Sequence, residues 1–409
     1  MPDLIRISLT FLIILLLLRK KLNIGYVMSI AAVVLFALYQ MNIAGIITTA
    51  KKTVTSNITI KLLLALSLIR MFEMILRENN VLSNMMSTVK VFFKNRRAVI
   101  ITMPLLIGML PSLGGAYFSA PMVKEATAGL KMSQEEKAFI NYWFRHPWEY
   151  ILPLYPGILL ASAVSNIPLH NMINANLSYA IVLLLTGFIY SMKGIGKNDS
   201  AIRAAQGKPG KTVNISKQER VSFLPVLAVI LLVVIIRIEL HYALLLITVP
   251  LILFYKYPLR EILRVTKHGF ALEVIVLIFG TMLFKETMEA SGAVKNLSRY
   301  FVEQGIPVLP IICLLPFLIG LLTGLTVGFV SSTFPLLISI AGGTSLANMS
   351  LAFAAGFIGV LLSPVHLCLV LTREYFKADL LGMYRKMIPA STFIFIAAII
   401  EYLILRRIT

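Results

Sequence analysis

Charge is scarce in this chain, and acid is scarcer than base. Only 14% of its 409 residues are charged, with 18 Asp and Glu against 38 Lys and Arg, while 58% are hydrophobic. So little charge cannot form the surface of a soluble domain, so the composition describes a multispan membrane protein. There are two cysteines, Cys313 and Cys368, both inside apolar segments. They show neither metal-ligand spacing nor an obvious partner, and they carry no information about compartment. H-E-x-x-H, a Walker loop, G-x-S-x-G and a cysteine cluster are all missing from the sequence. Metalloprotease, ATP-driven pump and serine hydrolase readings therefore lose their support, the chain is not expected to be an enzyme, and no cofactor is expected. No A-x-A-like cleavage site follows the apolar run Leu4 to Leu18, which reads as a retained span rather than a signal peptide.

What is present is an internal echo. Met103-Pro104-Leu105-Leu106-Ile107-Gly108-Met109-Leu110 recurs as Leu315-Pro316-Phe317-Leu318-Ile319-Gly320-Leu321-Leu322, 212 residues later. At the same offset Phe72 matches Phe284, Asn84 matches Asn296, Ile100 matches Ile312, Leu113 matches Leu325 and Ser119 matches Ser331. Helices interrupted by Pro, Gly, Ser and Thr at matching places in two halves point to a transport site.

Length and breaker residues place about ten full crossings, at 4–18, 24–41, 58–77, 138–164, 173–192, 222–238, 241–255, 269–288, 346–371 and 387–405. Two further apolar stretches, 98–128 and 308–338, are each interrupted near the middle, so each reads as two half-length helices meeting at a tip. Backbone exposed at such a tip is tolerable at membrane depth only inside protein or beside a water-filled cavity. Both are re-entrant hairpin candidates that line a pathway.

Orientation follows from Lys and Arg in the connections. Arg19-Lys20-Lys21, the four bases of Lys90 to Arg97, and the stretches Lys256 to Lys267 and Arg373 to Lys386 come out cytoplasmic, and the 165–172 loop, without Lys or Arg, comes out external. Lys51, Lys52, Arg406 and Arg407 run against this scheme. Residues 193–220, rich in base, Gly, Asn and Ser, read as a cytoplasmic linker between a first repeat, 1–192, and a second, 221–409. Five crossings before the linker bring the second half into the membrane with opposite polarity, so the repeat is inverted and both termini lie outside. The expected fold is all-α, two inverted five-helix repeats, each with a re-entrant hairpin and a broken helix (138–164 and 346–371).

The breaks are Phe144-Arg145-His146-Pro147-Trp148-Glu149-Tyr150 and Leu361-Leu362-Ser363-Pro364-Val365-His366-Leu367. Proline removes a donor and clashes with the preceding turn, freeing carbonyls near 143 and 360. Freed carbonyls and hydroxyls are hard oxygen ligands for a cation, while helix N-termini favour an anion.

Paired hairpins, a broken helix after each and a duplicated layout resemble the ion transporter superfamily, which includes dicarboxylate/sodium symporters, gluconate permeases and arsenite or sodium/proton antiporters. Within it, Pro111-Ser112-Leu113-Gly114-Gly115-Ala116-Tyr117-Phe118-Ser119-Ala120-Pro121, Arg145-His146-Pro147-Trp148-Glu149 and Leu362-Ser363-Pro364-Val365-His366-Leu367-Cys368 are most similar to a prokaryotic family, domain of unknown function number four hundred and one. The resemblance covers nearly the whole chain. It implies an elevator-type secondary transporter, and by analogy a homodimer, in the cell membrane. The Ser-Asn-Thr tip motif of the dicarboxylate symporters is absent from both hairpins, so dicarboxylate specificity does not carry over.

Candidate solute-binding residues are Ser112, Gly114, Gly115 and Ser119 at the first tip, Arg145 and His146 at the first break, Thr323 and Thr326 at the second tip, and Ser363 and His366 at the second break. Glycines let backbone approach a solute, and hydroxyls supply contacts; the alternative is a patch of small residues where helices pack. Ser331, Ser332 and Thr333 are candidate Na+ ligands. Arg145 suits an anion, and His146 or Glu149 suits proton movement or gating; the alternative is an Arg–Glu pair holding a bent helix. His366 has no neighbouring charge. Arg70 and Glu73 are spaced to pair, and Lys285 and Glu286 to snorkel. The expected activity is ion-gradient-driven transport of a small anionic solute, coupled to Na+ or H+. A cation/proton antiporter, a lipid-carrier translocase, or an intramembrane enzyme using His146 and Glu149 on a lipid-linked substrate are the alternatives.

Overall fold

The computed structural model describes residues 2–20, 22–81, 83–85, 96–111, 115–191 and 222–408, and among these all regular structure is helical. Ser112, Gly114, Lys90, Lys94 and the 193–220 linker lie outside the described residues. Four helical stretches are long and apolar enough to cross a membrane: Leu169–Ser191, Leu259–Ala290, Leu346–Phe376 and Leu380–Arg407. Other apolar helices are shorter, among them Ile24–Leu38, Leu240–Phe254, Leu309–Thr323 and Thr326–Ile340.

Chain order begins with α1 (Pro2–Arg19), α2 (Ile24–Leu38), α3 (Ile43–Thr55) and α4 (Asn57–Glu78). The Asn23 side chain accepts from the Gly25 N–H at 2.9 Å and starts α2, and Asn42 starts α3 through the Gly45 N–H at 2.7 Å. The first expected hairpin is the packed pair α5 (Arg96–Gly108) and α6 (Gly115–Ala126). The first expected broken helix comes in three pieces, α7 (Gln134–Trp143), the single turn α8 (Trp148–Ile151) and α9 (Pro156–Ser165), and is followed by α10 (Leu169–Ser191). A reciprocal Ser133–Glu136 capping box fixes the start of α7, and Pro156 opens α9.

After the linker come α11 (Leu224–Ile230), which runs on as a π turn over Leu231–Ile235, then α12 (Leu240–Phe254), α13 (Leu259–Gly269), α14 (Leu272–Ala290) and α15 (Ala293–Glu303). The second expected hairpin is α16 (Leu309–Thr323) and α17 (Thr326–Ile340), joined by Gly324 at φ 63° and Leu325. The left-handed φ at that turn favours glycine. α18 (Leu346–Leu362), α19 (Leu367–Phe376) and α20 (Leu380–Ile408) complete the chain.

Three of these helices, α3, α13 and α15, sit where sequence reading left connections. Taken alone they are too short and too polar to be spans, α13 forming the polar start of the Leu259–Ala290 stretch. Exposed Ile43, Ile47 and Val54 on α3, and Leu259 and Leu263 on α13, give each an apolar outer face instead.

The helices pack in two groups, joined where α17 also touches α2, α14 and α15 and where α9 touches α4. In one, α2 lies on α14, α4 on α12, α3 on α14 and α13 on α4. In the other, α16 lies on α18, α18 on α20, α10 on α20, α9 on α17, and α19 on both α6 and α7. Glycines carry the closest crossings: a Cβ on Gly25 would sit 2.5 Å from the Val276 and Leu277 backbones, and Cβ atoms on Gly320 and Gly359 would strike the carbonyls of Gly356 and Phe317. Bare backbone lets helices approach where apolar burial against lipid gives no drive.

Charged residues inside the helices pair differently from the sequence spacing. Arg70 donates to the His268 carbonyl at 3.2 Å, and Glu73 faces Arg77 at 3.6 Å rather than Arg70. Lys285 and Glu286 do not snorkel to solvent. They are buried, Glu286 meeting Lys52 of α3 at 2.6 Å and Lys285 meeting Glu289 at 3.6 Å.

Candidate functional site

The two breaks come together. Pro147 cannot continue α7, and Pro364 cannot continue α18, so each chain turns over a few residues before helix resumes. His146 and His366 stand in these turns, 220 positions apart in sequence, with their Nε2 atoms 3.2 Å apart. His146 Nδ1 lies 2.6 Å from the Tyr142 carbonyl oxygen, and His366 Nδ1 lies 2.7 Å from the Gly324 carbonyl oxygen at the tip of the α16–α17 pair. Both rings are buried.

A carbonyl only accepts, so each Nδ1 carries its proton and donates. In neutral imidazole the other nitrogen is then an acceptor, and two lone pairs face each other across 3.2 Å. That arrangement is relieved by a cation between the rings, or in part by a proton donor beside them, and the Cys368 thiol is such a donor.

Four further groups surround the pair. Cys368, in the first turn of α19, lies with the two histidines so that their ligand atoms all fall within 4.8 Å of one another. Arg145 Nη1 is 3.7 Å from the Cys368 sulfur, and its buried Nε has no hydrogen-bond partner among the described residues. Glu149 Oε1 is 3.8 Å from His146 Nε2, and Glu149 Oε2 accepts from the Thr326 hydroxyl at 2.8 Å. Thr326 opens α17, so the tip of the second helix pair touches both breaks, through Gly324 to His366 and through Thr326 to Glu149.

The carbonyls near the breaks are not left free, contrary to the sequence expectation. The Trp143 carbonyl accepts from the His146 N–H, and the Val360 carbonyl from the Ser363 N–H. The Leu361 carbonyl accepts from Tyr142 OH at 2.9 Å, and the Leu362 carbonyl from Tyr384 OH at 2.8 Å. Burial inside protein demands these partners.

Among the candidate residues, Arg145, His146, Glu149, Thr326 and His366 therefore meet. Ser363 is buried beside them and accepts from the Val365 N–H. Thr323 donates to the Ile319 carbonyl and receives the Leu325 N–H, so its hydroxyl shapes the tip. Gly115 and Ser119 are buried in α6, and Ser119 donates within its own helix to Gly115 and Ala116. Ser331, Ser332 and Thr333 lie in the body of α17, each donating to the carbonyl four residues before it.

Sequence reading missed Cys368. No spacing along the chain joins it to both of its histidine neighbours in space, since the histidine of the other half lies 222 positions away. The local signal was His366-Leu367-Cys368, two ligand types one residue apart at a helix start. A separate cavity of about 480 Å³ lies between α4, α9, α10 and α12, lined in part by Lys61, Asn166, His170, Glu239 and His241, away from this cluster.

The chain belongs to the family described as Protein of unknown function (DUF401), which it matches over residues 4–405. No curated protein matches it.

Proposed function

We propose that this protein is an ion-gradient-driven secondary transporter of the ion transporter superfamily type, moving a small anionic solute by an elevator-type alternating-access mechanism. The observation that carries this reading is the meeting of both helix breaks and a hairpin tip at His146 and His366. Broken helices from two halves that share one buried polar site are the usual construction of a transport site.

The helix order supports a duplicated plan. Helices starting at 115, 156 and 169 have counterparts starting at 326, 367 and 380, in each case 211 residues on. Cross-half packing is reciprocal as well: α2 on α14 matches α12 on α4, α3 on α14 matches α13 on α4, and α9 on α17 matches α19 on α6. With an odd number of crossings in each half, the two repeats are inverted, and the pairs α5–α6 and α16–α17 are re-entrant hairpins opening to opposite sides. The two packing groups supply the parts an elevator needs. The α2, α4, α12 and α14 group is the scaffold, and the hairpins with the broken helices are the moving region.

Arg145, with its unpartnered Nε, is the anion-binding group. Either H+ or Na+ is the coupling ion; the facing imidazoles, together with Glu149, suit H+, because ring nitrogen is a poor ligand for Na+. The same facing lone pairs also favour a second reading, a cation/proton antiporter. The protein works in the cell membrane as a homodimer, with its basic linker in the cytoplasm and both termini outside.

Reconstitution into liposomes with imposed Na+ or pH gradients, followed by uptake of labelled carboxylates, oxyanions and lipid-linked phosphates, tests the reading. Accumulation of one class under one gradient supports it. Failure of every candidate under both gradients, with modification of a lipid substrate by the purified protein, overturns it.

A further inference from the structure

We propose that His146 Nε2, His366 Nε2 and Cys368 Sγ form a binding site for one divalent d-block cation of the zinc class, with Glu149 as the fourth ligand. The inference rests on the geometry of the cluster and holds whatever solute the protein carries.

Ligand chemistry comes first. Two imidazole nitrogens and a thiolate are borderline and soft donors, which select zinc-class ions over Na+, Mg2+ or Ca2+, all of which prefer oxygen. Spacing agrees. A tetrahedral ion with Zn–N bonds of about 2.0–2.1 Å separates two nitrogen ligands by about 3.3 Å, and the two Nε2 atoms stand 3.2 Å apart. Glu149 Oε1, 3.8 Å from His146 Nε2, needs only a small side-chain adjustment to join them.

Orientation supplies an independent argument. A metal-bound histidine typically donates its other ring N–H to a carbonyl or carboxylate, which fixes its tautomer and aims its lone pair. Both histidines do this here, to Tyr142 and Gly324 carbonyls on different elements. Without a cation, the single Cys368 S–H is, among the described residues, the one proton donor at hand for two aimed lone pairs in a buried place, so one of them is left unsatisfied.

Charge is accounted for as well. Binding releases the Cys368 thiol proton to water, and the thiolate and the Glu149 carboxylate together balance a divalent ion, leaving the Arg145 guanidinium, 3.7 Å from the sulfur, as one uncompensated positive charge. One metal bound at Cys368 thiolate and neutral imidazoles breaks one S–H bond, forms one metal–sulfur bond and changes no oxidation state.

The test uses purified full-length protein in detergent, stripped of metal and titrated with Co2+ and then Zn2+. The expected result is one Co2+ per chain, with a sulfur-to-cobalt charge-transfer absorption, a tetrahedral visible spectrum, and displacement by Zn2+. Cys368→Ser should abolish the charge-transfer band, and Cys313→Ser should leave it unchanged. His146→Ala and His366→Ala should each weaken binding by at least about tenfold, the lower end of what even outer-shell changes cost. Absence of stoichiometric binding to the wild-type protein, or a band that survives Cys368→Ser, overturns the proposal. If the histidine variants do not fold, the wild-type spectrum and the two cysteine exchanges decide the matter. Failure here with gradient-driven uptake intact removes the metal site and leaves the transport reading; binding without any uptake does the reverse.

Discussion

His146 and His366, one from each half of the chain, point their Nε2 atoms at each other across 3.2 Å while backbone carbonyls hold their Nδ1 protons. Neither ring can turn its proton inward without abandoning a buried carbonyl, a loss of about 1–3 kcal/mol. The pair is therefore locked in a form that receives a cation. Here, too, both helix breaks and the α16–α17 tip touch one another through the side chains and carbonyls named above.

Thr326→Val should loosen that tip. Valine keeps the shape that packs against Gly157, where a Cβ would already crowd the Thr326 methyl, but it cannot donate to Glu149. A hydrogen bond to a charged group contributes about 1.5–3 kcal/mol. Transport by the variant in proteoliposomes should fall by about tenfold or more, and Thr326→Ser should restore it. Equal rates for wild type and valine would remove the contact from the mechanism.

The glycine crossing of α2 and α14 should tolerate no side chain. Gly25→Ala would press a methyl against the Val276 and Leu277 backbones, and Gly280→Ala would press one against the Gly25 carbonyl. Overpacking of this kind costs about 1–3 kcal/mol. Both variants should show a lowered thermal midpoint in detergent, while metal or solute binding at the distant histidine cluster is retained in whatever protein remains folded.

Much of this framework was legible in sequence, and the parts that were not share a cause. The repeated Pro-Gly pattern marked α5 and α16 because proline and glycine interrupt an apolar run where backbone must bend or come close to a neighbour, and Pro147 and Pro364 marked the breaks. The amphipathic helices α3, α13 and α15 were invisible to a search for long apolar runs. Cys368 was invisible because its ligand partners come from two halves of the chain, and no linear spacing encodes that meeting. Ser331, Ser332 and Thr333 stood out by composition, yet their hydroxyls are occupied within α17.

Glu135 predicts a pH effect at the entrance to the first broken helix. Hydrogen bonds from the Ser133 side chain, from backbone and from the Asp379 N–H at 3.1 Å hold its carboxyl below the usual value of 4.5. A depressed folded value means that stabilisation is present above the unfolded value and is lost as pH falls through the folded one. Glu135→Gln should lower the thermal midpoint slightly at neutral pH, and the gap to wild type should close on acidification below about pH 4. A gap that persists in acid would mean that the carboxylate charge is not the cause.

Inversion has a topological consequence. Single cysteines placed in the 165–172 loop and in the 256–258 connection, on a background lacking Cys313 and Cys368, should react with a membrane-impermeant thiol reagent from opposite faces of intact cells. Reaction of both from one face would contradict two oppositely oriented halves.

The most direct test of the account is ion movement in sealed proteoliposomes loaded with a pH dye and assayed again with a Na+ dye. Adding the transported solute to wild-type protein should move one of these ions at once, and His146→Ala and His366→Ala, checked for folding, should abolish that movement. Solute-driven ion flux that persists undiminished in both variants would contradict the claim that the two helix breaks form the coupling site.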